Sequence, residues 1–148
     1  MSSLIRKALN SDLNDIANLF AQLGYSQKID ELKKRFELFS SQKDYGVVVA
    51  EQDNKIVGLV AWSMAMMLVV PKMRLRIEGL VIDAQYRHQG IAKKLMVHVE
   101  EFAKQFSPCV IEITSGMKRA KEGTHQFYEA IGYRNEGSMA KLYLRKEV

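Results

Sequence analysis

The sequence predicts an α/β fold, a mixed sheet with helices on both faces, and three observations carry that prediction. Valine- and isoleucine-rich runs read as strands, and apolar residues recur at helical spacing in several amphipathic stretches. The two kinds of segment alternate in the middle of the chain, with antiparallel pairs flanking them. No repeat, low-complexity segment or Pro/Gly/Ser-rich linker interrupts the 148 residues, so 1–148 is expected to form a single domain.

The elements follow in order. Leu4 to Leu9 reads as a short strand; Ser11 then offers an N-cap for a helix whose apolar stripe, Leu13, Ile16, Ala17, Phe20 and Leu23, stops at Gly24. Ile29, Leu32, Phe36 and Phe39 form the apolar face of a second helix that ends near Ser40-Ser41, with Lys33, Lys34 and Arg35 on a solvated face. Val47 to Ala50, the turn Asp53-Asn54-Lys55 and Ile56 to Ser63 predict an antiparallel hairpin. Met64 to Met73 reads as a strand end and a loop, because Pro71 breaks whatever precedes it. Arg74 to Ile82 alternates at first and then turns continuously apolar, the pattern of a strand moving into a sheet centre. A loop, Asp83 to Tyr86, leads to the best-defined helix, with Ile91, Leu95, Val99, Phe102 and Ala103 on one face. Pro108 precedes a buried strand, Cys109 to Thr114. Thr124 to Ile131 is a short helix closed by Gly132, and Met139 to Arg145 a final strand.

Composition narrows the classes of function. The 47% hydrophobic and 26% charged residues are ordinary for a globular domain. The longest mostly apolar stretch, Val57 to Val70, falls short of the roughly 20 residues of a membrane-spanning helix. The N-terminus shows no signal-peptide core, so a cytoplasmic location is expected. A single cysteine, Cys109, removes disulfide and Cys-x-x-Cys chemistry, and no metal is expected. The net charge of +5, scattered along the chain, favours anionic partners only loosely.

The segment that carries chemistry is Gln85 to Leu95, between a predicted strand and a predicted amphipathic helix. Gly90 and the small Ala92 let backbone N–H groups approach an anion closely, and the helix N-terminus adds partial positive charge. Arg87 brings a permanent cation suited to a diphosphate. The competing reading from spacing alone is a solvent-facing loop with a convenient helix cap.

Arg87-x-x-Gly90-x-Ala92, preceded by Ile77 to Asp83, resembles the acetyl-CoA-binding motif of the GCN5-related N-acetyltransferase (GNAT) family. His125-Gln126-Phe127-Tyr128-Glu129-Ala130-Ile131-Gly132-Tyr133 is similar to that family's Phe-Tyr-x-x-x-Gly-(Phe/Tyr) segment. The resemblance covers nearly the whole chain and implies a GNAT-like acyltransferase fold with a mostly antiparallel central sheet. It implies acetyl-CoA as cosubstrate and an amine acceptor, with direct attack in a ternary complex. The pantetheine arm would pair with main-chain groups of Leu80, Val81 and Ile82, in the gap where this strand splays from Cys109 to Thr114. The diphosphate would lie on the amides of His88, Gln89, Gly90, Ile91, Ala92 and Lys93, with Arg87 shaping the loop. Tyr128 matches the position of a general acid for the departing thiolate. An unperturbed tyrosine has a pKa near 10, so it stays protonated and can donate. Glu78 matches a strand position from which a carboxylate takes the amine's proton, directly or through water. Asp83 is expected to cap the loop, and His125 and Cys109 to be structural. The family's Asn or Arg before the second signature is replaced here by Ala120-Lys121-Glu122-Gly123.

The resemblance also puts the acceptor beside Leu23 to Phe39 and Trp62 to Met73, and a homodimer is compatible with it. The acceptor itself, a small molecule or a protein amino group, stays open. Two other classes compete: a non-catalytic acetyl-CoA sensor, and a basic nucleic-acid-binding domain. The latter is disfavoured by the lack of a basic run interleaved with aromatics.

Overall fold

The computed structural model describes residues 3–114, 123–137 and 141–148, and the chain divides into two units, Met1–Ile113 and Thr114–Val148. The first unit holds five strands, β1 (Leu4–Lys7), β2 (Tyr45–Gln52), β3 (Lys55–Met66), β4 (Met73–Ile82) and β5 (Cys109–Ile113), in spatial order β1-β2-β3-β4-β5. Every pairing is antiparallel except β4 with β5, which is parallel. The mixed, mostly antiparallel sheet is therefore observed. Three helices belong to this unit: α1 (Leu13–Leu23), α2 (Ile29–Ser41) and α3 (Ile91–Ala103).

The helices take opposite faces, as alternation along β3 demonstrates. Leu59 and Ala61 join a core with Ile16, Leu19, Leu32 and Phe36 of α1 and α2. The backbone of Gly58, one residue earlier, lies against Ile91 and Leu95 of α3. Consecutive strand residues point to opposite faces, so α1 and α2 cover one side and α3 the other. Trp62 lies on the α3 side, its ring 4.7 Å from that of Phe102. A Cβ on Gly46 would sit 2.4 Å from the same indole, so this position needs glycine for the ring to fit. The β2–β3 hairpin turns on Asp53 and Asn54, both at positive φ, the primed geometry that matches strand twist.

Several expectations shift at the edges. Ser11 is not the N-cap: a 3-10 turn, Asn10–Asp12, precedes α1 and begins with the Asp12 carboxylate accepting the Leu9 N–H at 2.8 Å. β3 continues to Met66, leaving 67–72 as the loop. β5 stops at Ile113 and is half-buried rather than buried. The doubly paired part of β4 is its alternating start, Met73–Ile77, and the apolar end carries one strand partner among the described residues, the reverse of the predicted order.

Asp12 anchors the start of α1. It is 6% exposed and takes two hydrogen bonds from the Arg6 guanidinium, at 2.8 and 2.9 Å, while Arg6 Nε donates to Glu51 at 3.0 Å. The Arg6 guanidinium holds the Asp12 carboxyl below the ordinary carboxylate range. Burial opposes this and the Leu9 N–H assists. A carboxyl lowered on folding adds stability above its unfolded pKa, and that stability is lost as pH falls through the folded value. Asp12→Asn is therefore expected to cost about 2–4 kcal/mol near neutrality. In urea unfolding it should lose less further stability than the parent protein between about pH 5 and about pH 3. Equal acid sensitivity of the two proteins would contradict this assignment.

The second unit contains α4 (Thr124–Ala130), followed by Gly132 at φ +102, so the predicted short helix and its glycine stop are observed. Tyr128 is buried, its ring 5.3 Å from Phe127 and 6.2 Å from Tyr133, and its carbonyl accepts the Tyr133 N–H at 3.0 Å. Of the predicted last strand, Met139 and Ala140 lie outside the described residues, and 141–145 is not a strand. There the Asn135 side chain, not a neighbouring strand, receives the Lys141 N–H at 2.7 Å. Ala120, Lys121 and Glu122 also lie outside the described residues.

Candidate active site

The first component is an open strand edge. β5 pairs with β4 only from Met73 to Ile77, while β4 runs on to Ile82. Glu78 to Ile82 thus has no strand partner on that side among the described residues, and main-chain N–H and C=O groups along it are available for pairing. The register against β3 shifts here as well: Ala61 faces Gly79 and Trp62 faces Ile77, so Glu78 is the extra residue of a β-bulge. Leu80 and Ile82 are half-buried. The Val81 side chain packs into the α1/α2 core, leaving only its backbone to offer.

The edge leads into a braced loop. The Asp83 N–H donates to the Val57 carbonyl at 2.8 Å, and its carboxylate receives the Gln85 N–H at 2.9 Å and Lys55 Nζ at 3.2 Å. Burial pushes the Asp83 carboxyl up, yet the bonds from Gln85, Lys55 and Gln22 together outweigh it, and the net shift is downward. Gln22 also accepts the Ala84 N–H at 2.9 Å. Further along, the Tyr86 hydroxyl reaches Asp53 at 3.5 Å, and Gln52 donates to Gln89 at 3.3 Å. The loop is tied to the β2–β3 hairpin at several points, so its shape is preset.

Two residues at positive φ, His88 at +63 and Gly90 at +80, then turn the chain into α3, where the buried Ile91 side chain anchors the helix start. The first N–H groups of a helix have no intrahelical acceptor and carry partial positive charge. A Cβ on Gly90 would meet nothing within 4 Å, so the space before these amides is open. Arg87, His88, Gln89 and Lys93 are exposed around it, with Ala92 half-buried. An open anion cradle contiguous with a strand edge that is unpaired among the described residues fits a ligand with a phosphate end and an amide-bearing arm.

A cavity of about 680 Å³ lies on the α1/α2 side of the sheet, walled by Phe20, Leu23, Phe36, Phe39 and Leu59, with Glu78 and Gly79 at its β4 wall. The bulged Glu78 accepts from Ser63 Oγ at 3.3 Å and lies 3.7 Å from Arg76 Nε. The α1–α2 connection lines the cavity too, because α1 stops at Gly24 (φ +105) with the Tyr25 N–H returning to the Phe20 carbonyl at 2.8 Å. Residues of the segment Leu23 to Phe39 thus border the cavity. Trp62 to Met73 does not: Trp62 and the buried Met64 occupy the α3 side, and Met66 projects into solvent. Arg35, assigned from sequence to a solvated face, is exposed and lines the cavity. Three residues after Leu32 and four before Phe39, it flanks the apolar stripe, and the helical period gives no sign of the cavity beside it.

The structure therefore brings Glu78, Leu80, Val81, Ile82 and the 87–93 loop into one unit, while Tyr128 belongs to the other. No group of three His, Cys, Asp or Glu residues among those described is placed to hold a metal, and no described helix is long and apolar enough to cross a membrane. The model of the acetyltransferase (GNAT) family matches residues 11–133. The chain belongs to the GNAT acetyltransferase family. It is 28% identical over 142 residues to an uncharacterized N-acetyltransferase of Archaeoglobus fulgidus, covering 90% of this chain and 95% of that one. It is 26% identical to another from Methanocaldococcus jannaschii, covering 95% of this chain but only 64% of the relative's length. Among solved structures, a GNAT family acetyltransferase of Staphylococcus aureus aligns with TM-score 0.76 and 28% identity, covering 97% of this chain and 100% of that one.

Proposed function

We propose that the chain is an acetyl-CoA-dependent N-acetyltransferase that acylates a primary amine, working as one domain over residues 1–148. The observation that carries this reading is the β4 edge from Glu78 to Ile82, without a strand partner on that side among the described residues, running directly into the open turn at Gly90. The main-chain groups of Leu80, Val81 and Ile82 would hold the pantetheine amides, and the amides of His88 to Lys93 with Arg87 the diphosphate. Bound acetyl-CoA supplies an activated acyl thioester. An ammonium has no lone pair, so the acceptor must first lose a proton, and Glu78, bordering the cavity, is the group assigned to receive it. Tyr128 is assigned as proton donor to the leaving sulfur. No covalent enzyme intermediate is required.

Thiol release from acetyl-CoA, followed across a panel of primary amines, tests the reading. Glu78→Gln keeps an oxygen for Ser63 but removes the base, and kcat should fall by about 100-fold with acetyl-CoA affinity unchanged. An undiminished kcat would remove Glu78 from the reaction. Tight acetyl-CoA binding with no amine consumed would instead favour a sensor.

A further inference from the structure

Resting on the acetyltransferase reading, we infer that the acceptor is a monoamine with an apolar body that also carries an anionic group, with Arg35 selecting for that group. The cavity on the α1/α2 side has Phe20, Phe36, Phe39 and Leu59 in its walls, surface that favours a hydrocarbon or aromatic body. Among the described residues its lining holds two charged side chains, Glu78 on β4 and Arg35 on α2. One carboxylate serves one ammonium. A polyamine or aminoglycoside would carry further cations into apolar walls and against Arg35, with no second carboxylate among the described lining residues to receive them.

The two charges differ in their surroundings. Glu78 already touches Ser63 and Arg76. Arg35 forms no ion pair with any described residue, so its planar fork is available to a carboxylate or phosphate on the acceptor. With the amine directed to Glu78 and the bulge, an anion elsewhere on the molecule would set its orientation in the cavity. Gly79 offers no side chain at that wall, and a Cβ there would meet nothing within 4 Å, so an apolar body has room beside the bulge.

The test compares kcat/KM, at saturating acetyl-CoA, for phenethylamine, 4-(2-aminoethyl)benzoate, tyramine, tyramine phosphate and spermidine. The carboxylated or phosphorylated amine should exceed its uncharged counterpart by about tenfold or more, and spermidine should be the poorest. In Arg35→Gln that ratio should collapse to within about twofold, and Arg35→Lys should restore part of it. The two anionic amines show whether a carboxylate or a phosphate is preferred. Preference for spermidine, a ratio unaffected by Arg35→Gln, or turnover of other amines but none of these by a protein that binds acetyl-CoA would overturn the inference and leave the acetyltransferase reading intact. Failure of acetyl-CoA itself to bind, measured in parallel by calorimetry, would overturn both.

Discussion

Gly90→Asp should raise the Kd for acetyl-CoA by about 100-fold or more, because two like charges 4–5 Å apart at an effective dielectric near 20 repel by about 3–4 kcal/mol. The fold should survive. Gly90 caps α3 at φ +80, a conformation that aspartate and asparagine tolerate better than most residues, and its Cβ would enter open space. Aspartate is also a favoured N-cap, so helix formation is not the quantity that changes. Gly90→Asn separates charge from shape: it carries the same backbone strain without the negative charge, and should retain most of the affinity. If the aspartate variant bound acetyl-CoA as the parent does, the cradle at the start of α3 would not be the phosphate site.

Tyr128→Phe should lower kcat by about 100-fold while leaving acetyl-CoA affinity within about twofold, since a positioned general acid contributes about 10²–10⁴ to a rate. Phenylalanine keeps the ring packing with Phe127 and Tyr133, and the backbone bond from the Tyr133 N–H to residue 128 is untouched. Loss of turnover would thus report the hydroxyl and not the helix. Undiminished turnover would remove Tyr128 as the acid and leave proton return to solvent or another group.

The parts of the fold legible in the sequence were those set by local periodicity and turn chemistry. The stripe from Leu13 to Leu23 ended at a glycine that does adopt positive φ, and Asp53-Asn54 does form the hairpin turn. Asp83 was expected to shape the loop, and it accepts the Gln85 N–H. The Gly90 turn between β4 and α3 was likewise readable, because a glycine between a strand pattern and a helix pattern marks a turn, and Gly90 does adopt φ +80. Features that depend on pairing between distant segments were not readable. The bulge at Glu78 arises from the register of β3 against β4. The early end of the β4–β5 pairing was expected through the family resemblance alone, not from the residues' own pattern. The face of the sheet that Trp62 takes was not readable either, because one step of strand alternation, settled only by which helix packs on which face, puts it under α3. The periodicity puts Arg35 on a solvated face because it shows where charges lie on a helix without showing what opens beside them.

The central claim is that the open β4 edge and the 87–93 turn form an acetyl-CoA site, and calorimetric titration of the protein with acetyl-CoA tests it most directly. A DNA duplex titrated in the same salt is the comparison that separates a built site from general attraction of a basic protein for polyanions. The account predicts saturable one-site binding of acetyl-CoA, retained as salt is raised and lost in Gly90→Asp, with no comparable heat from DNA. Absence of saturable acetyl-CoA binding, or affinity for DNA that falls steeply with salt and exceeds that for acetyl-CoA, would contradict it.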